Sequence, residues 1–247
     1  MSSDTSVAPL LKATSVEKRF GELHVLQDIS FTLDAGEAVG IVGPNGAGKT
    51  TFLSVLVGAQ KPSAGVIEYK GRDITQLPAS ERVRLGLVRT HQIPRPFGQM
   101  TVFENALVAA TQGGGVKGQE ANELVLDALQ LCKMENLVNR RAETLGLMDR
   151  KRLELVRAVS TRPEVLLLDE IGGGLTDAEA HELVLIIKEL QTRAIAIVWI
   201  EHLVNTLLRV AKRLICLDSG RIIADGDPQA VLKDPAVTKA YLGGHGQ

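Results

Sequence analysis

The sequence predicts an α/β fold: a parallel sheet flanked by helices, joined to an antiparallel β subdomain and interrupted by an inserted helical subdomain. Three observations carry this. A glycine-rich turn at residues 43–51, Gly-Pro-Asn-Gly-Ala-Gly-Lys-Thr-Thr, joins an apolar strand-like run to a helix-like run. From Val165 onward, short apolar runs alternate with helical stretches, which is the pattern of βα units. Between Thr101 and Ser160 the apolar spacing is helical throughout.

Up to Thr90 the chain alternates strand-like and turn-like pieces. Strands are expected at Leu11–Val16, Val25–Leu33, Glu37–Val42, Val66–Lys70 and Gly86–Thr90, with turns at Asp34-Ala35-Gly36 and Ser63-Ala64-Gly65. The run Thr51–Val57 reads as a helix. Within the insertion, Val102, Ala106 and Ala109, then Leu124, Ala128 and Leu131, are spaced to share a helix face, and Gly113-Gly114-Gly115 reads as a flexible loop. Strands return at Val165–Leu168, Ala194–Trp199, Leu214–Leu217 and Arg221–Ala224, with helices over Asp177–Gln191 and Leu203–Val210. The expected organisation is a single domain, residues 1–247, with an α/β core of residues 1–92 and 162–247 and an inserted helical subdomain of residues 93–161.

The 247 residues, 45% hydrophobic and 23% charged, are ordinary for a globular chain that buries a substantial core. A net charge of −1 gives no basic footprint for nucleic acid. The apolar run Ala194–Ile200 is far short of the ~20 residues that cross a bilayer. The start Met1-Ser2-Ser3-Asp4 lacks the basic and apolar segments of a signal peptide, so any membrane spanning is expected of another chain. Cys132 and Cys216 have no CxxC spacing and read as small packing residues in a reducing, cytoplasmic setting. The five histidines have no zinc-site spacing.

Two segments carry chemistry. Gly43, Pro44, Asn45, Gly46, Ala47, Gly48, Lys49, Thr50 and Thr51 form a complete P-loop, whose glycines let successive N–H groups point at a triphosphate while the following helix offers its positive end. Lys49 then reaches the β- and γ-phosphates and Thr50 ligates Mg²⁺; the plainer reading is a glycine-rich turn without a ligand. The run Val165–Leu168 ends in Asp169 and Glu170, two carboxylates at the C-terminal end of a buried strand, where open α/β sheets bind ligands. Asp169 suits Mg²⁺ coordination through water, and Glu170 suits orienting or deprotonating an attacking water, worth about 10²–10⁴ in rate. Solvated acids at a strand end are the bland alternative. Together these segments mark a P-loop NTPase core.

On these residues the chain resembles the ATPase subunits of ATP-binding-cassette (ABC) transporters over nearly its whole length. The resemblance implies that Phe20 stacks on adenine. It implies that Gln92 senses Mg²⁺ and the attacking water and couples them to the membrane subunits, and that His202, in Trp199-Ile-Glu-His202, contacts the γ-phosphate. Taken singly, Phe20 also reads as core filler, Gln92 as a surface polar residue and His202 as a capping or core histidine. The segments Arg89–Gln92, Pro94–Phe97, Met100–Asn105 and Lys239–Gly243 are similar to one branch, the longer ATPase subunit of branched-chain amino-acid importers. The activity implied by the resemblance is hydrolysis of ATP with Mg²⁺, driving import of branched-chain amino acids or a related small solute. The implied partners are a second cassette ATPase subunit, two membrane permease subunits and a solute-binding protein acting through them, with no nucleic acid. The implied place is the inner face of the cell membrane, held there by the permeases. A lipid or polysaccharide exporter of the same architecture is the second reading, and a nucleotide-binding regulator or scaffold with attenuated hydrolysis the third.

The chain departs from the family at its signature. The usual Leu-Ser-Gly-Gly-Gln aligns with Leu145-Gly146-Leu147-Met148-Asp149. In the family this segment completes the partner's ATP site in trans. Gly146 has no hydroxyl, Leu147 and Met148 add bulk where backbone must approach closely, and Asp149 puts a negative charge near an anion. One lost hydrogen bond to a charged group costs about 1.5–3 kcal/mol. Alternatively, Asp149 caps a helix beginning at Arg150, with Arg150, Lys151 and Arg152 screening it. The proline usual after the catalytic glutamate is Ile171, the next three residues are Gly172, Gly173 and Gly174, expected to be free and costly to order, and Thr176 stands where Asp or Asn is usual. These differences predict a heterodimer, with this chain's own P-loop productive and the site it completes weakened.

Overall fold

A computed structural model describes residues 8–243. The chain begins with β1 (Leu11–Phe20), β2 (Leu23–Leu33), β3 (Ala38–Val42), α1 (Lys49–Leu56), β4 (Ala64–Tyr69), β5 (Arg72–Asp73), α2 (Ala79–Arg84) and β6 (Leu87–Arg89). There follow α3 (Val102–Val108), a π-helical turn (Ala109–Gly113), α4 (Gly118–Leu131) and α5 (Leu147–Val159). The chain ends in β7 (Val165–Asp169), α6 (Asp177–Thr192), β8 (Ala196–Ile200), α7 (Val204–Leu207), β9 (Arg213–Asp218), β10 (Arg221–Gly226), α8 (Pro228–Lys233) and α9 (Pro235–Gly243). The Met1–Asp4 start lies outside the described residues. Among those described, no helix is long and apolar enough to cross a membrane.

Two sheets result. One is antiparallel, in the order β2-β1-β4-β5; the other, β10-β9-β3-β8-β7-β6, is parallel except for the β10–β9 hairpin. The parallel strands are buried on both faces, which is why they read as continuous apolar runs. On β3, Val39 and Ile41 join one core while Ala38 and Val42 join the other; on β7, Val165 and Leu167 oppose Leu166 and Leu168. The first core packs α1 between the sheets, with Phe52 edge-on to Phe31 at 5.6 Å. The second joins the helical segment between β6 and β7 to the parallel sheet, with Val102, Val125 and Leu155 in the same cluster as Leu166 and Trp199.

Several local expectations change. Ala64 and Gly65 belong to β4, not to a turn: the register of β1 slips between Thr14 and Glu17, and Gly65, at φ 88°, sits where a Cβ would come within 2.4 Å of the Ser15 carbonyl. The π-helical turn shifts the buried face, so that Ala110 rather than Ala109 is fully enclosed, and in α4 it is Val125 rather than Leu124. Gly113 and Gly114 are not a free loop. Gly113 closes that turn against Thr161, and a Cβ on Gly114 would meet the Ala110 carbonyl at 2.7 Å. The helix expected at Leu203–Val210 is a single turn, because Val210 and Ala211 both bond back to the Leu207 carbonyl as the chain bends into β9.

Candidate active site

The sequence of β3 delivers an extended strand to Val42, where Gly43 breaks it. Its φ is 147°, and a side chain there would meet the Leu217 carbonyl of β9 at 2.0 Å. Only glycine lets the chain turn so close to the sheet. The loop then opens onto the N-terminus of α1, whose first-turn N–H groups have no side-chain cap. A helix start of this kind is a natural anion site. A cavity of about 340 Å³ lies over it, lined by residues 45–51, by Leu23 and Val25 of β2, and by Glu170.

Lys49 is buried and donates to the carbonyls of Gly43 at 2.7 Å and Pro44 at 2.9 Å. Burial pushes its pKa below the ordinary lysine value, against the opposing pull of Glu170 and Asp169. Thr50 Oγ1 lies 3.4 Å from Asp169 Oδ1. These two oxygen donors are the hard ligands that Mg²⁺ prefers. Gly43 and Pro44 do not line the cavity; their carbonyls receive the Lys49 ammonium.

Parallel pairing of β6, β7 and β8 brings three strand ends together. Asp169 ends β7 and is 2% exposed. Glu170 follows in a left-handed conformation, φ 47°, a strained state for a side chain of this size. Its carboxylate accepts the Gln92 amide on one oxygen, and its other oxygen lies 2.9 Å from His202 Nε2. Gln92, Glu170 and His202 thus meet at one point beside the P-loop. Phe20 does not line the cavity. It stands 46% exposed at the β1–β2 turn under the Lys18 ammonium, and is not core filler.

The signature segment differs from expectation. Helix α5 begins at Leu147 with Gly146 as its uncapped N-cap, so Asp149 lies inside the first turn and caps nothing. Arg152, at 3.6 Å, is its counter-charge, while Arg150 turns back to the Glu143 and Leu145 carbonyls. Met148 points into the core at 8% exposure, so its bulk is not presented at the surface; Leu147, 50% exposed, is.

Four residues have roles that the sequence did not reveal, and one of them, Lys151, does not screen Asp149 as expected but turns inward. Arg89 places one guanidinium nitrogen 2.5 Å from Asp169 Oδ2 and another 2.7 Å from Ser54 Oγ. Tyr241 of α9 accepts the Gly43 N–H at 2.9 Å, and burial raises the pKa of its hydroxyl. Lys151, 4% exposed, donates to the Ile171 carbonyl at 2.7 Å and to that of Gly173. Glu201, 2% exposed, accepts from Gly172 N at 2.9 Å and His202 N at 3.0 Å. The glycine segment expected to be free is therefore tied on both sides. A signal did exist for Lys151: it falls on the helix face of Met148 and Leu155, where a charge needs a buried partner. Thr176 has a plain local role as well. It caps α6 in a reciprocal box with Glu179.

Residues 26–172 match the family described as ABC transporter, and residues 221–246 match one described as branched-chain amino acid ATP-binding cassette transporter. The chain is 36% identical over 250 residues to the high-affinity branched-chain amino acid transport ATP-binding protein LivG of Salmonella typhimurium, covering 95% of this chain and 98% of that protein. It is 35% identical over 239 residues to the lipopolysaccharide export system ATP-binding protein LptB of Acidithiobacillus ferridurans, with coverages of 96% and 98%. A crystal structure of the ADP conformation of an ATP-binding cassette from an ABC transporter matches with a TM-score of 0.88 and 30% identity, covering 96% of this chain and all of that one. Likeness of that extent, running through the phosphate loop, the helical segment and the C-terminal strands alike, means that the chain belongs to the ABC transporter family, among its ATP-binding subunits.

Proposed function

We propose that this chain binds ATP with Mg²⁺ over the Lys49–Thr51 helix start and hydrolyses it to power solute import through separate membrane subunits. The observation that supports this best is the Glu170 carboxylate held between Gln92 and His202, beside the cavity over the P-loop. Lys49 and the first N–H groups of α1 grip the phosphates, and Leu23, Val25 and the exposed ring of Phe20 flank the base. Thr50 and Asp169 hold Mg²⁺, which supplies neutralising charge for the β- and γ-phosphates. Glu170 takes the proton of the attacking water, with Gln92 and His202 holding the carboxylate in line. Residues 93–161 act as the subdomain that presents Gly146–Asp149 to a partner cassette.

The C-terminal family match and the likeness to LivG favour branched-chain amino acids or a related small solute, with two permeases and a solute-binding protein as companions and a place on the inner membrane face. The comparable likeness to LptB favours export as the second reading; the membrane subunits that co-purify with the chain distinguish the two. The altered signature favours pairing with a second cassette whose signature is intact. Calorimetry and phosphate release test the proposal together. The purified chain is expected to bind MgATP yet hydrolyse it poorly, and to gain turnover when such a partner is added. A folded chain giving no heat with MgATP overturns the reading, and robust cooperative turnover by the chain alone overturns the pairing.

A further inference from the structure

We propose that Lys151 and Glu201 are positioning residues for Glu170, gripping the glycine loop that follows it from two sides and so fixing the backbone that aims its carboxylate. The proposal rests on the reading of Glu170 as the group that acts on water. Glu170 holds a left-handed backbone, φ 47°, that a glutamate adopts only when its surroundings impose it. The segment next to it has only two turn bonds of its own, Gly173 N to the Glu170 carbonyl and Leu175 N to the Gly172 carbonyl, both long at 3.3 Å. Ile171 stands where a proline would have fixed φ, and Gly172, Gly173 and Gly174 have more backbone freedom than any other residues.

The shorter holds come from outside the segment. From α5, the buried Lys151 ammonium donates to the carbonyls of Ile171 and Gly173. From the end of β8, the buried Glu201 carboxylate accepts the N–H of Gly172, the residue between those two carbonyls. The same carboxylate accepts the N–H of His202, whose ring touches Glu170. One acid therefore sets both the loop behind Glu170 and the histidine in front of it. Gly172 is what admits this arrangement: a Cβ there would lie 2.6 Å from Glu201 Oε2. The glycine run thus serves to let a buried carboxylate reach the backbone. Lys151 also lies in the opening turns of α5, directly after Gly146–Asp149, so a partner engaging that helix start acts on Glu170 of the same chain through one side chain.

The test uses the full chain as wild type, Lys151→Met, Lys151→Arg and Gly172→Ala, with thermal unfolding to confirm that each is folded. MgATP affinity is measured by calorimetry. Cleavage is followed in single turnover with protein in excess, sampled over hours, so that affinity does not enter the rate. Lys151→Met and Gly172→Ala are expected to keep MgATP affinity and to lose about 10- to 100-fold in the cleavage rate, as misaimed catalytic groups do. Lys151→Arg, which can still donate to two carbonyls, is expected to recover most of it. A folded Lys151→Met that cleaves at the wild-type rate overturns the proposal. Should Lys151→Met not fold, Gly172→Ala decides in the same way, since it deletes no polar group and acts only by pushing the Glu201 carboxylate off the loop. No MgATP binding by the wild type removes both this inference and the function it rests on; wild-type cleavage that neither variant slows removes this inference alone.

Discussion

His202 Nε2 stands 2.9 Å from Glu170 Oε1, and with Gln92 on the other oxygen a single carboxylate ties together the segments that follow β6, β7 and β8. Replacing Glu170 with Gln keeps the shape and removes the proton acceptor. MgATP binding is expected to survive while hydrolysis falls by at least about 10²-fold. Phosphate release set against calorimetry checks this, and turnover that persists in Glu170→Gln rules out the role given to that acid.

Arg89 neutralises the almost fully buried Asp169. Arg89→Ala leaves that carboxylate without its counter-charge, and a broken buried pair costs about 3–5 kcal/mol of unfolding free energy. Combining Arg89→Ala with Asp169→Asn is expected to cost clearly less than the two single losses added together. Denaturant unfolding of the four proteins in the cycle measures the coupling; strict additivity contradicts it.

The inward turn of Met148 separates two kinds of signature change. Gly146→Ser with Leu147→Gly restores a hydroxyl and clears the exposed leucine, and is expected to raise hydrolysis at the partner's P-loop about 10- to 100-fold. Met148→Ala opens a cavity instead, with an expected loss of about 2–5 kcal/mol in stability and no such gain. Assays of the paired cassettes, with the partner's own catalytic acid intact and this chain's disabled, read the two outcomes.

The Glu179 carboxylate accepts from both Thr176 N and Thr176 Oγ1, which holds its pKa below the ordinary value of 4.5. A depressed carboxylate pKa adds stability above the unfolded-state value and loses it as pH falls through the folded-state value. Wild type is therefore expected to exceed Glu179→Gln in stability at neutral pH, with the gap closing as pH drops below about 4.5. Parallel unfolding curves from pH 7 to pH 3 show this; a gap that stays constant with pH argues against the ionised box.

The sheet was readable because its strands are buried on both faces, so Glu37–Val42, Val165–Leu168 and Ala194–Trp199 stand out as apolar runs with little alternation to confuse them. The P-loop was readable because its conformation demands particular glycines at particular places, Gly43 above all. Helix ends were harder. Asp149 looks like a cap by residue type, yet α5 starts at Leu147, three residues before the Arg150 that such a cap implies, and its first turn takes in the buried Met148. The glycine loop misled for a related reason. A glycine states what the backbone is free to do, whereas Lys151 and Glu201, both distant in sequence, state what it does. Arg89 was unreadable as a partner of Asp169 because that pairing depends on β6 lying next to β7, a fact of sheet order that no local pattern carries.

The hydroxyl of Tyr241 resting on the Gly43 amide means that the last described helix is also the outer brace of the first phosphate-loop residue. Displacing α9 would therefore take away the partner of the Gly43 amide. The seat of that helix and the set of the phosphate loop are thus joined through one hydroxyl.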